Sequence, residues 1–228
     1  MKRVLKIFFL VFLIIIAGIA IWMFRNIRDR HPDYDLSINM TGHVPSRLSV
    51  GFAAMPITPE VPDRWTDVNG DAKYIPEDGD SYEDVNGNGK FDAVWIAGFG
   101  NRRAANGVHD DLWARTMVID DGTVRLAIVA LDAIGFMHDD IVDVRSQISP
   151  EAGVTYAIVH STHTHEAPDL LGLWGPSHFK SGIDPDYMAY VKKQAAISVE
   201  KAVAGLRPAR LKFAQNLLDG GATVIDTR

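Results

Sequence analysis

The feature that most limits how this chain can fold is an apolar run close to its amino terminus. Residues 7–24 are 18 consecutive residues without a polar side chain, and basic residues lie on both sides of them. A helix needs about 20 apolar residues to cross a bilayer, whereas the core of a cleavable signal has about 7–15. The run therefore predicts a transmembrane helix within a signal anchor over residues 1–30. The protein is then expected to be membrane-anchored and extracytoplasmic, in the periplasm or on the cell surface.

Two other interpretations of this run stay open. Gly18-Ile19-Ala20 offers the small residues of a cleavage site, and cleavage there would make the protein secreted. A buried core helix is disfavoured, because the segment lies at a terminus and is bracketed by cations.

The remainder of the chain has the composition of a folded, acidic domain. Of its 228 residues 47% are hydrophobic and 23% charged, which is an ordinary globular mixture. The net charge of −6 combines +5 in residues 1–30 with −11 in the rest. That acidity argues against nucleic acid as a partner and suits cation binding. Because there is no cysteine, disulfides, thiolate metal sites and cysteine nucleophiles are excluded.

The hydrophobic pattern predicts a polar linker over residues 31–47 and an α/β domain over residues 48–228. Its strands and helices alternate, which is typical of a mixed sheet with flanking helices and parallel crossovers. Asp120-Asp121-Gly122-Thr123 predicts a hairpin turn, and Asp139 or Asp140 is expected to cap a helix. Strands are predicted over residues 49–54, 116–119, 125–131, 155–160 and 209–214, and helices after 139 and over 184–205.

An acidic insertion at residues 60–92 contains a loop of the EF-hand calcium type. Gly89 stands at the sixth position, where such a loop turns sharply, but Trp95 occupies the twelfth, where a carboxylate belongs. Candidate oxygen ligands at positions 1, 3, 5, 7 and 9 are Asp84, Asn86, Asn88, the Lys90 carbonyl and Asp92.

A second, poorer copy of this loop covers residues 67–73, with Asp78 at its twelfth position. Residues 60–92 carry ten acidic side chains against three basic ones, and this crowding is repulsive without a cation. The pattern predicts structural Ca²⁺. A solvated acidic loop rich in turn residues is the alternative.

The most informative stretch is residues 160–166, His-Ser-Thr-His-Thr-His-Glu, directly after the predicted strand 155–160. In open α/β sheets ligands bind at the carboxyl edge, where such a strand ends. Histidine is a common zinc ligand, and an extended His163-Thr164-His165 projects both rings to one side. A pair of hydrogen-bonded histidines at a strand end is the alternative.

Two further residues are expected near the same edge. Asp132 ends the preceding strand and is a candidate to orient a ligating histidine, or else a turn residue. His109 precedes a strand and is a candidate to line the same cleft.

Taken together, the sequence resembles the amino-terminal catalytic domain of the neutral/alkaline (non-lysosomal) ceramidase family. The resemblance extends from about Leu48 onward, and its strongest element is similar to the family's Thr-His-Thr-His-Ser-Gly-Pro. Four blocks carry it in order, namely residues 50–53 (Val-Gly-Phe-Ala), residues 107–115 (Gly-Val-His, then Leu-Trp-Ala-Arg), residues 131–135 (Leu-Asp-Ala-Ile-Gly) and residues 161–168 (Ser-Thr-His-Thr-His-Glu-Ala-Pro).

The resemblance implies a zinc amidohydrolase that cleaves the N-acyl bond of a lipid-like substrate, as ceramidases cleave ceramide. His163 matches the family's zinc-ligating histidine, and His165 matches the neighbouring histidine that faces the substrate. Arg228 falls where the family has an arginine near the reacting group.

Two departures from the family pattern qualify these expectations. The motif continues Glu166-Ala167-Pro168-Asp169 where ceramidases have Ser-Gly-Pro-Gly, and the insertion at 60–92 is not typical of them. The remaining zinc ligands are expected beyond Arg228, so residues 48–228 are interpreted as an incomplete domain. The alternatives are a metal-dependent hydrolase of another amide or ester, and an inactive, calcium-stabilised surface module.

Overall fold

The computed structural model describes residues 2–38 and 47–212. It begins with helix α1, Lys2–Ile27, whose 26 residues span about 39 Å at the α-helical rise. This helix is long and apolar enough to cross a membrane, and all of its residues are exposed to solvent. The predicted N-terminal apolar helix is therefore present.

The domain after it is built on a five-stranded sheet with the spatial order β6-β5-β4-β1-β7, and a separate two-stranded ribbon formed by β2 and β3. Two helices accompany the main sheet. The strands are β1 Ser49–Pro56, β2 Arg64–Thr66, β3 Ser81–Glu83, β4 Trp113–Asp120, β5 Arg125–Leu131, β6 Tyr156–Ser161 and β7 Arg207–Pro208, and the helices are α2 His138–Gln147 and α3 Pro185–Ala204.

The sheet is mixed, which confirms the predicted fold class. β5 and β6 are parallel and are joined through α2, whereas β4 pairs antiparallel with both β5 and β1. The sequence also predicted a parallel crossover through α3. Instead, α3 leads to β7, which pairs antiparallel with β1 at the far side of the sheet.

The last strand is also shorter than predicted. It covers Arg207–Pro208, so residues 209–212 lie outside it, and residues 213–214 of the predicted strand lie outside the described residues. Proline cannot donate a ladder hydrogen bond, which fits Pro208 to the edge of a sheet.

Helix α3 packs across β1, β4 and β5 and covers one face of the sheet. Its start follows the prediction, because the Asp184 side chain accepts the backbone N–H groups of Asp186 and Tyr187. Its buried stripe of Val191, Ala195 and Val199 faces the inward residues of the strands. On the opposite face Phe52 and Ile158 are exposed, so the described residues leave that face uncovered.

The start of α2 differs from the prediction. The residue preceding the helix is Met137, whose side chain makes no capping hydrogen bond. Asp139 and Asp140 lie inside the first turn, where a negative charge is favourable beside the exposed backbone N–H groups. Both carboxylates form ion pairs with Arg30, a basic residue far away in the sequence.

Contact between β1 and α3 depends on Gly51. A Cβ atom at this position would lie 1.9 Å from the backbone carbonyl oxygen of Ala202. We therefore expect Gly51→Ala to lower the free energy of unfolding by about 1–3 kcal/mol, the usual cost of overpacking. Thermal denaturation followed by circular dichroism measures the effect.

The matched control is Gly18→Ala, since Gly18 has no atom within 4 Å of the added Cβ. An unchanged melting midpoint for Gly51→Ala would mean that β1 and α3 do not approach each other at this point.

Candidate functional site

The candidate site begins where β5 and β6 end. Their parallel pairing continues beyond the strands, because Thr162 N donates to the Leu131 carbonyl at 2.9 Å and His163 N donates to the Ala133 carbonyl at 3.0 Å. The backbone of the histidine motif is therefore fixed at the carboxyl edge of the sheet, as the sequence predicted for a strand-end site.

His163 is held in a specific orientation by its surroundings. Its Nδ1 atom lies 2.7 Å from the Ile134 carbonyl oxygen. A carbonyl can only accept, so the proton resides on Nδ1 and the lone pair on Nε2. Metal-binding histidines are commonly oriented in this way by a backbone carbonyl on the opposite ring nitrogen. The geometry of His163 therefore fits a metal ligand.

His165 is placed beside His163 but in a more enclosed position. The two ring centroids are 5.2 Å apart and the rings are nearly perpendicular, at 86°. The Nδ1 atom of His165 is buried and has no hydrogen-bond partner among the described residues. The Phe99 ring covers this histidine at a centroid distance of 4.6 Å. His163 has a φ of +63°, so the extended conformation expected for His163-Thr164-His165 is not formed, although the two rings lie side by side. The sequence did not indicate Phe99.

The loop over His165 requires glycine. A Cβ atom on Gly98 would lie 2.0 Å from His165 Nδ1, and Gly98 has a φ of +85°. Of the four non-glycine residues with positive φ in the described part of the chain, three are His163, Phe99 and Arg102. Such conformations are costly for residues with a side chain and cluster at functional sites.

Arg103 joins this loop to the histidine motif. Its Nη1 atom donates to the carbonyl oxygens of Ala97, Gly98 and His165 at 3.2, 3.3 and 3.1 Å. Its Nη2 atom forms an ion pair with Glu166 at 3.3 Å, and only 14% of the Arg103 side chain is exposed. The guanidinium therefore satisfies three carbonyls that no strand or helix would pair.

Asp169, one of the residues that depart from the family pattern, organises the segment after the motif. It is completely buried, and its carboxylate accepts the backbone N–H groups of Leu171, Gly172 and Trp174 at 2.9, 2.9 and 3.0 Å. Because three donors surround it, the buried charge is compensated.

The sequence also predicted Asp132 and Arg228 as site residues. Asp132 accepts from Arg115 Nη1 at 2.6 Å and from Trp113 N at 3.0 Å, so its contacts are to β4, and the Ile134 carbonyl orients His163 instead. Arg228 lies outside the described residues.

His109 borders a neighbouring cavity of about 340 Å³, together with Glu166, Ala167 and Pro168 of the motif segment. Its side chain is 97% exposed and its Nδ1 atom lies 2.7 Å from Asp110. Among the described residues that line this cavity, neither His163 nor His165 is present, so a shared cleft for His109 and the histidine pair stays a prediction.

The calcium-type loop folds around its own carboxylates. Asp84 accepts the backbone N–H groups of Asn88 and Gly89 at 3.0 and 2.7 Å. Hydrogen bonds from Asn86, Lys90 and Asn88 lower the pKa of the Asp92 carboxyl to about 2. The Lys90 ammonium lies 2.9 Å from Asp92, which is a contact that the sequence pattern did not indicate.

The two acidic loops are joined reciprocally by two buried aspartates that the sequence did not single out. Asp63, just before β2, accepts from Val85 N and Asp92 N at 3.1 and 2.8 Å. Asp80, just before β3, accepts from Val68 N and Ile75 N at 3.0 and 2.7 Å. Asp80 rather than Asp78 therefore holds the poorer loop, which begins at Asp67. Asp63 and Asp80 each stand four residues before the first position of a loop, Asp67 and Asp84. This shared spacing was the signal available in the sequence.

Within residues 2–38 and 47–212, no group of three or more histidine, cysteine, aspartate or glutamate side chains is arranged to hold a metal ion. Within the described part of the chain, His163 and His165 therefore provide no more than part of a metal site.

Comparison with known proteins gives a distant likeness. No protein-family profile matches the sequence, and no curated protein is similar to it. Part of the chain is similar to the crystal structure of neutral ceramidase from Pseudomonas aeruginosa, with a TM-score of 0.48, 17% identity and coverage of 71% of this chain. A structure described as ceramidase complexed with C2 gives a TM-score of 0.49 with the same identity and coverage. The chain spans 22% of the length of each.

The role of Arg103 can be tested by substitution. We expect Arg103→Gln to lower the free energy of unfolding by about 1–3 kcal/mol, because buried carbonyls lose their donor. Hydrogen exchange at the Ala97 amide, which donates to the Ala167 carbonyl, should also become faster.

Arg102→Gln is the matched control, since the adjacent Arg102 side chain is exposed. Equal effects of the two substitutions would show that the loss of a positive charge, rather than the carbonyl contacts, is responsible.

Proposed function

We propose that this protein is a zinc-dependent hydrolase of the ceramidase type, with His163 as a zinc ligand and an amide bond in a lipid-like molecule as its substrate. The observation that carries the proposal is the 2.7 Å contact between His163 Nδ1 and the Ile134 carbonyl. That contact leaves the Nε2 lone pair available, which is the state that a zinc ligand requires.

His163 fits the role of a ligand in zinc chemistry, and His165 fits a role towards the substrate. A bound zinc ion polarises a carbonyl group and lowers the pKa of its water to about 7. A zinc centre needs about three protein ligands, so His163 has to be joined by ligands from elsewhere in the protein.

His165 is suited to contact the substrate rather than the backbone. Since Gly98 and Phe99 enclose its Nδ1 atom, Nε2 is the ring nitrogen that can face a bound molecule. A proton held at Nε2 makes His165 a donor to the oxyanion that develops when an amide is attacked. Arg228 is proposed as a second donor near the reacting group, on the family resemblance of the sequence.

The proposal also includes membrane anchoring by α1, with the domain on the extracytoplasmic side. The helix length of about 39 Å exceeds the roughly 30 Å of the hydrocarbon core. An anchor of this kind keeps the enzyme beside a substrate that resides in a bilayer. If the helix is instead a cleaved signal, the same domain is secreted.

Structural Ca²⁺ in the paired acidic loops is the second part of the proposal. It is supported by the glycines with positive φ at the fourth and sixth loop positions, Gly87 and Gly89. The buried Asp63 and Asp80 make each loop dependent on the other. Binding of an ion to one loop is therefore expected to order both.

The zinc proposal predicts that His163→Ala loses bound zinc and hydrolytic activity together. Even the loss of a residue that orients a ligand typically lowers metal affinity or activity by about 10–100-fold, so the loss of the ligand should cost at least as much. Elemental analysis of purified protein and hydrolysis of a fluorogenic ceramide-type amide measure the two quantities.

The control variant is His160→Ala, which removes an exposed histidine three residues earlier on β6. If His163→Ala retains the zinc content and the activity of the unmodified protein, the proposal is wrong. A zinc-loaded protein that cleaves a simple ester or amide but no lipid amide would favour the alternative substrate class.

The calcium proposal predicts that millimolar Ca²⁺ raises the melting temperature of the domain, whereas Mg²⁺ does so less, because Mg²⁺ demands stricter geometry and gives up its water reluctantly. Saturation at 100 times the Kd stabilises by about 2.7 kcal/mol. Differential scanning calorimetry with and without each ion provides the measurement.

The calcium-dependent shift should disappear in Asp84→Ala and persist in Glu77→Ala, an exposed acidic residue outside the predicted ligand positions of both loops. If the unmodified protein melts at the same temperature with and without Ca²⁺, the loops do not bind this ion.

A further inference from the structure

The segment that follows α1 is bound tightly to the domain. Arg30 forms ion pairs with Asp139, Asp140 and Asp143 of α2 at 3.1, 2.7 and 3.4 Å. We call these four residues the Arg30 cluster. Asp140 is nearly buried, so its charge depends on basic partners. Arg30 lies three residues after the end of α1, a distance of roughly 10 Å at most.

Lys192 of α3 completes the compensation of these carboxylates, at 2.7 Å from Asp140 and 2.6 Å from Asp143. Burial alone raises the pKa of the Asp143 carboxyl, but hydrogen bonds and charges from Lys192, His31 and Arg30 outweigh it and hold that pKa below its usual value. The Asp143 carboxyl is therefore ionised at neutral pH.

The Arg30 cluster lies at the same edge of the sheet as the histidines. Helix α2 starts shortly after β5 ends, and β5 ends beside His163. The first turns of α3 are at this edge as well, because Tyr187 and Tyr190 donate to the carbonyls of Ile57 and Pro56, at the end of β1. The chain thus leaves α1 at the histidine edge.

After the cluster the chain runs away from this edge. Tyr34 accepts a hydrogen bond at 3.0 Å from Arg145, in the last turns of α2. β1 then begins at the opposite end of the sheet, where Ser49 pairs with Asp120 at the β4–β5 hairpin. The direction of this segment distinguishes one edge of the domain as the edge next to α1.

Large apolar side chains are exposed on the loops of that same edge. Phe99 is 73% exposed, Leu173 63% and Phe179 99%. Phe99 covers His165, Leu173 lies in the segment organised by Asp169, and Phe179 follows His178, which contacts Asn101 at 2.9 Å. Single exposed apolar residues are ordinary, but a group of them on neighbouring loops marks a surface for a membrane or a partner.

We infer that the histidine edge docks on the lipid surface, with Phe99, Leu173 and Phe179 entering the interface and the Arg30 cluster fixing the orientation. A bilayer is favoured over a protein partner because a helix able to span it is joined to this edge by three residues. On the proposed function, which supplies the lipid-like substrate, the amide bond then reaches His165 directly from the bilayer. The orientation itself needs neither zinc nor substrate.

The absence of cysteine from the sequence makes the orientation measurable with single spin labels. The full chain carrying Phe179→Cys is labelled and reconstituted into phosphatidylcholine vesicles. We expect its label to be several-fold more accessible to oxygen than to an aqueous nickel chelate. A label at Thr123→Cys, in the exposed β4–β5 hairpin at the opposite edge, should have the reverse preference.

Two outcomes overturn the inference at different levels. Protein that fails to float with the vesicles refutes the anchor, and with it this orientation. The protein could instead float with the vesicles while its Phe179 label is as accessible to the nickel chelate as the Thr123 label. That outcome refutes the docking on lipid and indicates that these side chains bind a protein partner. Neither outcome bears on the zinc content of the His163 variants, so failure of the hydrolase proposal is recognised separately.

The Arg30 cluster is tested in the Phe179→Cys background. Arg30→Gln should move the accessibility of the label towards that of the Thr123 label, because the domain is no longer held at one edge. Arg28→Gln removes the same charge from the same exposed segment and should leave the label unchanged. Equal accessibility in Arg30→Gln and the unmodified chain would contradict the orienting role of the cluster.

Discussion

The continued parallel pairing of β5 and β6 beyond their ends is the constraint on which the rest of this molecule depends. Two backbone hydrogen bonds, from Thr162 and His163, extend the ladder after both strands have stopped. They fix the histidine ring against the Ile134 carbonyl. The same parallel arrangement requires a crossover, so α2 must start at the edge where the histidines lie. Site and helix start are consequences of one pairing.

The loop that encloses His165 has to supply what regular structure does not. Gly98, Phe99 and Arg102 of this loop adopt positive φ values. Arg103 satisfies the carbonyls of Ala97 and Gly98, and also that of His165, with one guanidinium, whose planar set of donors suits several acceptors at once. The histidine edge thus combines strained backbone with a largely buried cation, and exposed apolar side chains lie on its loops. This combination suits a surface that works against a lipid phase.

Much of the fold could be predicted from local pattern. Strand β5 was predicted at its observed bounds because its apolar residues form one continuous run, and α3 because Asp184 and Pro185 mark its start. Helix α2 was placed correctly but its cap was not, since Asp139 and Asp140 lie inside the first turn and form ion pairs with Arg30. β7 was misjudged because a two-residue edge strand has no periodicity to recognise.

The sequence by itself determined the apolar helix, the strand that delivers the histidines and the repeat of two acidic loops, because each is a pattern of neighbouring residues. Only the tertiary structure decided what surrounds them. Arg103 and His165 are 62 positions apart, and Arg30 and Asp139 are 109 apart. Local periodicity carries no information about partners at such separations, which are fixed by how the sheet and its loops pack.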